Sequence, residues 1–125
     1  MKWLLFIFTF ISTNAMAEWT PVVASDTFYA YINYSTIRKS GNMVKMWVLY
    51  DYKTSQLLGR VKFLSIKAQE EYDCKEEHVR SLANIWASDN MGHGDIINSN
   101  IQISNWNPVS PDSIVEGLFR KACDK

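Results

Sequence analysis

The chain closes on the segment WNPVSPDSIVEGLFRKAC (residues 106–123), whose pattern predicts a helix. Ser110 is a favourable N-cap, Pro111 suits the first helical position, and Asp112 complements the positive end of the helix dipole. Beyond them, apolar residues recur three and four positions apart and form one stripe: Ile114, Val115, Leu118, Phe119 and Ala122. Because such a stripe needs a surface to cover, we expect the helix to pack on a sheet.

The two cysteines indicate how this helix is attached. Cys123 ends the helical segment, Cys74 ends an earlier strand-like run, and the two lie 49 positions apart. A pair of cysteines in an exported chain favours one intramolecular disulfide, with two free thiols as the alternative. A closed loop of this length would contribute on the order of 4 kcal/mol to stability in the chain-entropy model.

Residues 1–17 predict a secretory signal peptide. Lys2 precedes an apolar run that extends to Ile11, and Ala15-Met16-Ala17 forms a cleavage site of the small-x-small type. An N-terminal membrane anchor is the alternative, but a span needs about 20 apolar residues and this run is about half as long. Neither cysteine lies near the cleavage point. We therefore expect an exported domain of residues 18–125, in the periplasm or at the cell surface, without a lipid anchor or a remaining membrane span.

The overall composition excludes some classes of partner. Lysine plus arginine and aspartate plus glutamate both number 13, so the whole chain has no net charge. No global field therefore favours nucleic acid or an anionic membrane. The part of the chain after the signal is long enough for one domain with a modest core and too short for two.

The middle of the chain reads as a series of strands. The run 43–52 is the strongest of them and follows a hairpin signal at Ser40-Gly41-Asn42. Its even-numbered residues form one apolar face, while Trp47 and Leu49 lie on the other face beside Lys45. Because an exposed sheet face is normally polar, we expect loops or a second subunit to cover this second face, and exposed Trp47 and Leu49 would mark an interface.

Two later runs are less regular. Residues 60–74 change parity near Phe63-Leu64, which predicts a β-bulge. After this change, one face is expected to lie under the helix and to carry Leu64, Ile66, Ala68, Tyr72 and Cys74. Residues 78–87 fit both helical and strand spacing, and the turn residues on either side favour a strand.

Five segments, in order and with similar spacing, resemble the bacterial surface-adhesin protein E family: Tyr31–Arg38, Val44–Tyr52, Glu71–Cys74, Met91–Gly94 and Trp106–Cys123. The resemblance implies an α+β fold, with a single antiparallel sheet of about six strands and one C-terminal helix held against one face by a Cys74–Cys123 disulfide. It also implies a Gram-negative envelope protein. This chain has no lipobox cysteine beside its cleavage site, and no binding residue can be carried over because the family's binding surface is not a sequence motif.

Catalytic chemistry is poorly represented in the sequence. His78 and His93 are the only histidines, and no nucleophile, phosphate-binding or Cys-x-x-Cys motif is present. The pairs Glu70-Glu71 and Glu76-Glu77 are expected at a solvated strand end, with nothing nearby to shift the pKa of a carboxylate. We therefore expect no catalytic residue, and the chain is not expected to be an enzyme.

Only one loop has residues whose spacing could suit a metal site. Asp89, His93 and Asp95 could offer two carboxylates and an imidazole to a divalent ion. In a glycine-rich loop, however, such residues more often satisfy the backbone of the turn. We expect no metal and no cofactor.

These patterns together favour a noncatalytic exported protein-binding module. The partner would be a host matrix protein, an envelope component or a second copy of the chain. The alternative is a periplasmic structural or small-ligand-binding domain, with a small metal-dependent enzyme as the third possibility. Most of the tryptophans are expected in the core, where large rings bury much area, and Trp47 is the expected exception.

Overall fold

The computed structural model describes residues 18–125, and the predicted signal peptide lies outside them. Six main strands form one antiparallel sheet in chain order: β1 (Thr20–Ala24), β2 (Phe28–Ser40), β3 (Met43–Leu58), β4 (Val61–Asp73), β5 (His78–Ala87) and β6 (Ile96–Ile101). A two-residue strand, β7 (Asn107–Pro108), pairs with the start of β5, and a 3₁₀ turn spans Asn90–Gly92. The helix α1 (Ile114–Cys123) follows. The predicted α+β fold is confirmed.

The helix begins later than predicted. Its N-cap is Ser113, whose hydroxyl oxygen accepts from the backbone N–H of Glu116 at 3.1 Å and donates to the Ser110 carbonyl at 2.6 Å. The prediction that Ser110 is the N-cap is wrong because Asp112 has a left-handed backbone with φ of 57°. A helix cannot pass through that residue, so the cap moves to the next serine.

The helix covers the predicted face of the sheet. Leu118, Phe119 and Ala122 are buried, and the Phe119 ring lies 6.3 Å from that of Tyr72 in β4. Cys74 and Cys123 form a disulfide with a Cα–Cα distance of 5.7 Å. The core around these contacts consists of Ala30, Ile32, Val44, Met46, Val48, Tyr72, Leu118, Phe119 and Ala122. The disulfide and the helix-facing parity of Cys74 and Tyr72 are therefore confirmed.

The helix also approaches the edge strand β1 closely. Gly117 faces Val23, and a Cβ built on Gly117 would lie 2.6 Å from the Cγ1 atom of Val23. Since real Cβ atoms do not approach other carbons this closely, the glycine permits the contact between α1 and β1. The sequence pattern did not predict this contact.

Two breaks in pairing shift which residues share a face. The strand prediction for residues 78–87 is confirmed, but Leu82 is an extra residue in β5, because Gln69 pairs with Ala83 and Glu70 pairs with Ser81. Val79 and Ala83 consequently lie on opposite faces. The pairing of β3 with β4 has a second irregularity next to Phe63. At this point β3 contains the extra residues, which lie between Asp51 and Gln56.

Candidate functional site

The sheet face opposite α1, which we call the open face, carries a surface groove of about 460 Å³. Trp47 of β3 lies in its floor next to Gln69, its cross-strand partner in β4. The far wall comes from β5 and from the chain around β6, where Ile101 and Ile103 line the groove. The groove thus crosses four strands and has an apolar wall at the edge of the sheet.

Trp47 and Leu49, the two residues that the sequence placed at a possible interface, differ in their exposure in the structure. Trp47 is half-buried and borders both this groove and a smaller one of about 240 Å³, which Trp19 and Lys67 also line. Leu49 has no exposed surface. Leu49 is therefore not available to a partner in this structure, while an interface role for Trp47 stays a prediction.

Leu49 is buried because the loop after β5 lies over its end of the open face. The Ser65 hydroxyl donates to the Asp89 carbonyl at 2.6 Å, and it accepts from the Gly92 N–H at 2.8 Å. The Met91 N–H donates to an Asp51 carboxylate oxygen at 2.9 Å. These bonds fix the loop on the sheet, so this end of the open face is covered, while the face around Trp47 borders the groove.

The charged groups of the groove fall into a paired set and an unpaired set. Glu71 is buried and forms an ion pair of 2.6 Å with Arg80, whose guanidinium lies 4.3 Å from the centre of the Trp106 ring. Within residues 18–125, Lys45 of this groove has no ion-pair partner, and neither does Lys67, which lines the smaller groove next to it. The groove therefore offers positive charge beside its apolar surface.

The edge strand β6 and the segment just after it carry three exposed isoleucines. Ile101 is 88% exposed and Ile103 is 62% exposed, and both line the groove. Ile96 on the same strand is 68% exposed but does not line it. Solvent-exposed isoleucines at the rim of a groove are typical of a contact surface.

A buried carboxylate lies on the other face of the sheet, under α1. Glu70 accepts a hydrogen bond from the Tyr50 hydroxyl at 2.5 Å and another from the Tyr72 hydroxyl at 2.6 Å. Burial raises the pKa of Glu70 above its ordinary value of 4.5, and the two hydrogen bonds offset part of this rise. Burial also raises the pKa of both tyrosines well above 10, so their hydroxyls remain donors at neutral pH.

The prediction of a solvated glutamate pair at residues 70–71 is wrong for both members. Glu70 and Glu71 alternate across β4, so they are buried on opposite faces with different partners. A signal for Glu70 was present in its parity, which it shares with Ala68 and Tyr72 on the helix-covered face. Its neighbour Tyr72 shares this parity, but its second partner, Tyr50, could not be identified before the register of β3 against β4 was known.

The residues weighed for catalysis do not converge. His78 begins β5 and His93 lies in the loop that follows it, so ten residues of strand separate them by roughly 30 Å. In residues 18–125, no group of three or more metal-ligating side chains comes together. In the loop, the Asp89 N–H donates to the His93 carbonyl and the Asp95 N–H donates to the Ser88 hydroxyl. These residues shape the turn.

The tryptophans differ from expectation, because none of Trp19, Trp47, Trp86 and Trp106 is fully buried. Trp86 packs on Phe63, with ring centres 4.6 Å apart, while Trp106 lies against Arg80. The core is filled instead by aliphatic residues and by Tyr72 and Phe119.

Beside the helix, two grooves of about 720 Å³ and 230 Å³ are bordered by the charged residues Arg120 and Lys125.

With the geometry established, the chain can be compared with known proteins. The model of the family described as surface-adhesin protein E matches residues 19–124. The chain belongs to the surface-adhesin protein E family. This match covers nearly all of the residues that form the sheet and the helix, including both cysteines. No curated protein is significantly similar to the chain.

Solved structures of the family's namesake share its fold. Protein E of Haemophilus influenzae, in its crystal form II, is similar with a TM-score of 0.69 at 12% identity, over 90% of this chain and 91% of that one. Protein E from non-typeable Haemophilus influenzae gives a TM-score of 0.65 at 13% identity, over 90% and 79% of the two chains. At this identity the likeness concerns the fold.

In residues 18–125, no helix has the length and apolar character needed to cross a membrane.

Proposed function

We propose that this member of the surface-adhesin protein E family is a noncatalytic, exported protein-binding module whose contact surface is the open-face groove. One observation carries the proposal: an apolar groove around Trp47 is bordered by the exposed side chains of Ile101 and Ile103. Exposed apolar surface of this kind costs solubility and is kept where a partner covers it.

The two faces of the sheet divide the structural and binding roles. The helix, the disulfide and the main hydrophobic core occupy one face. The open face keeps an aromatic side chain in its centre and a charged pair, Glu71 and Arg80, at one side. Tryptophan and arginine are enriched where proteins bind one another.

The family assignment supports a place at the cell envelope. A surface-adhesin family implies export or display at the cell surface, and the predicted signal at residues 1–17 supports the same route. We infer that the partner is a host matrix protein or an envelope component, and that the domain reaches it without a lipid anchor. A second copy of the chain on the same face is a further possible partner.

The proposal is tested by changing the groove without changing the core. Ile101→Asp combined with Ile103→Asp places two charges at the exposed wall, and Ile96→Asp is the matched control on the same edge strand. Immobilised wild type and both variants are incubated with solubilised native envelope and with host matrix extract. Captured proteins are then quantified by mass spectrometry.

We expect a defined protein captured by the wild type and by the control, and lost at least tenfold from the groove variant. Each truncated or charged anchor commonly costs more than 1 kcal/mol of binding. If no protein is enriched from either extract, or if all three forms capture the same set, a binding role for the groove is contradicted. Thermal unfolding of each variant shows whether the fold is retained.

A further inference from the structure

The hairpin that joins β3 to β4 projects beyond the rest of the sheet. On one side, the pairing of β2 with β3 ends where Phe28 meets Tyr52, and on the other side β5 reaches only as far as Ser65. Residues 53–62 therefore have no neighbouring strand on either side. A two-stranded ribbon alone is only marginally stable in water, so a projecting one needs a reason to persist.

The tip of this hairpin is apolar on both faces. Leu58 pairs with Val61, which places the two side chains on one face, and they are 37% and 50% exposed. Leu57, which is 65% exposed, lies on the opposite face across from Lys62. The turn itself is tight, with Gly59 at φ of 61°. No hydrophobic core lies against either face of the ribbon at these residues. Their side chains are therefore exposed although the ribbon has no buried face to balance them.

The same hairpin carries cations at its base and at its tip and no anion. Lys53, Arg60 and Lys62 occur in residues 53–62, and this stretch contains no acidic residue. Lys53 is at the base, where its amine lies 4.7 Å from the centre of the Tyr29 ring, while Arg60 and Lys62 are at the tip.

The acidic residues near the base of the hairpin do not cancel the positive charge at its tip. Asp26 and Asp89 belong to loops at the base of the hairpin. Five residues of strand separate base and tip by about 16 Å, which exceeds the screening length of about 8 Å at physiological salt. The tip therefore presents Arg60 and Lys62 as local positive charge on a chain that has no net charge.

We propose that the tip of the β3–β4 hairpin inserts into the surface of a membrane that contains anionic phospholipid. A lipid surface solvates both faces of a narrow ribbon at once, whereas a groove on a protein partner would cover one face and leave the other leucine exposed. The apolar tip enters the boundary between headgroups and acyl chains, and Arg60 and Lys62 contact the phosphates. This contact is separate from the open-face groove.

The test is a vesicle flotation assay on protein exported and processed by a Gram-negative host, with its mass measured to define the N-terminus. Vesicles are made of phosphatidylcholine alone or of phosphatidylcholine with phosphatidylglycerol. We expect binding to the anionic vesicles, weaker binding to the neutral ones, and a decrease as salt is raised. Leu57→Ser with Leu58→Ser should weaken binding about tenfold or more, and each of Arg60→Gln and Lys62→Gln about fivefold.

Matched variants separate insertion from general stickiness. Ile101→Ser removes an exposed apolar side chain outside the hairpin, and Lys75→Gln with Lys121→Gln removes two exposed cations elsewhere. All three substitutions should leave flotation unchanged. Leu58→Trp adds a fluorescent probe at the tip, and its emission should shift to shorter wavelength with anionic vesicles only.

Several outcomes would overturn the proposal. Wild-type protein that does not float with anionic vesicles excludes it, and so does equal flotation of the double serine variant. Salt-sensitive flotation that needs the cations but not the leucines would show electrostatic adsorption without insertion of the tip, and this would also overturn the proposal. Since Ile101 borders the groove and not the hairpin, loss of protein capture and loss of vesicle binding are distinguishable.

Discussion

At the scale of single residues, Glu70 combines structural importance with an unfavourable location. A carboxylate taken out of water is costly unless it is hydrogen-bonded, and here two tyrosine hydroxyls supply the bonds. Because burial raises its pKa, the folded state holds the Glu70 proton to a higher pH than the unfolded chain does. Its contribution to stability is therefore complete below about pH 4.5 and declines as the pH rises through the folded pKa.

Substitution of Glu70 should change the pH dependence of folding. In Glu70→Gln, the titrating group is absent, so the decline in stability above pH 4.5 should be smaller than in the wild type. The wild type should lose up to about 1.4 kcal/mol per pH unit between the unfolded and folded pKa values of this group. Urea unfolding across a series of pH values measures the difference.

The control for this experiment is Glu76→Gln, which removes a carboxylate that is exposed in the turn after β4. Its pH profile should run parallel to that of the wild type. Parallel profiles for all three proteins would mean that Glu70 has the same pKa in the folded and unfolded states.

At the scale of secondary structure elements, α1 is held in place at both ends and by a close contact in its middle. Ser113 caps its N-terminus, the disulfide ties its C-terminus to β4, and Gly117 lets it approach β1. The amphipathic stripe predicted the buried side, but the glycine belongs to the contact with Val23. An alanine would suit an isolated helix better than this glycine does, by about 1 kcal/mol.

A double-mutant cycle should reveal the approach of α1 to β1. Gly117→Ala alone should destabilise the protein by about 1–3 kcal/mol, because the added methyl group overlaps Val23. In a Val23→Ala background, the same change should be neutral or stabilising, because the obstructing methyl groups are gone. Urea denaturation of the four proteins gives the coupling energy. A stabilising effect of Gly117→Ala in the wild-type background would show that the helix is free to move.

At the scale of the whole molecule, the disulfide closes a loop that includes β5, β6, β7 and α1. The chain between Cys74 and Cys123 thus contributes β5, β6 and β7 at one edge of the sheet as well as the helix that covers its core. The net charge of the chain is also a whole-molecule property, and it conceals the local positive charge of the β3–β4 hairpin. The two proposed contact surfaces, the open-face groove and the tip of the β3–β4 hairpin, therefore both lie away from the helix.

Loss of the disulfide should strongly weaken the fold. Cys74→Ala with Cys123→Ala should lower the free energy of unfolding by on the order of 4 kcal/mol, since a 49-residue loop is no longer restricted in the unfolded chain. Reduction of the wild type should have a similar effect in urea denaturation. Non-reducing mass spectrometry should find the exported protein two hydrogens lighter than the dithiol. Unchanged stability after reduction would contradict a structural role for the bond.

Much of the architecture was predictable because it depends on local pattern. Alternating side chains, the hairpin signal before β3 and the stripe of α1 lead to a sheet with one helix, and the parity of Cys74 identified the covered face. The register could not be predicted, because one extra residue such as Leu82 reverses every later side chain. For this reason the sequence could not show that Val79 and Ala83 lie on opposite faces, and it could not join Glu70 to Tyr50.

The groove and the hairpin also combine features that the sequence predicts with features that only the tertiary structure determines. The sequence by itself determined that Trp47 lies away from the helix, because strand periodicity is a property of neighbouring residues. Only the tertiary structure decided that Leu49 is buried by the loop at Asp89–Gly92 and that Ile101 and Ile103 border Trp47. It also decided that residues 53–62 project with no neighbouring strand. Burial and projection depend on where distant segments end relative to one another, which no local pattern records.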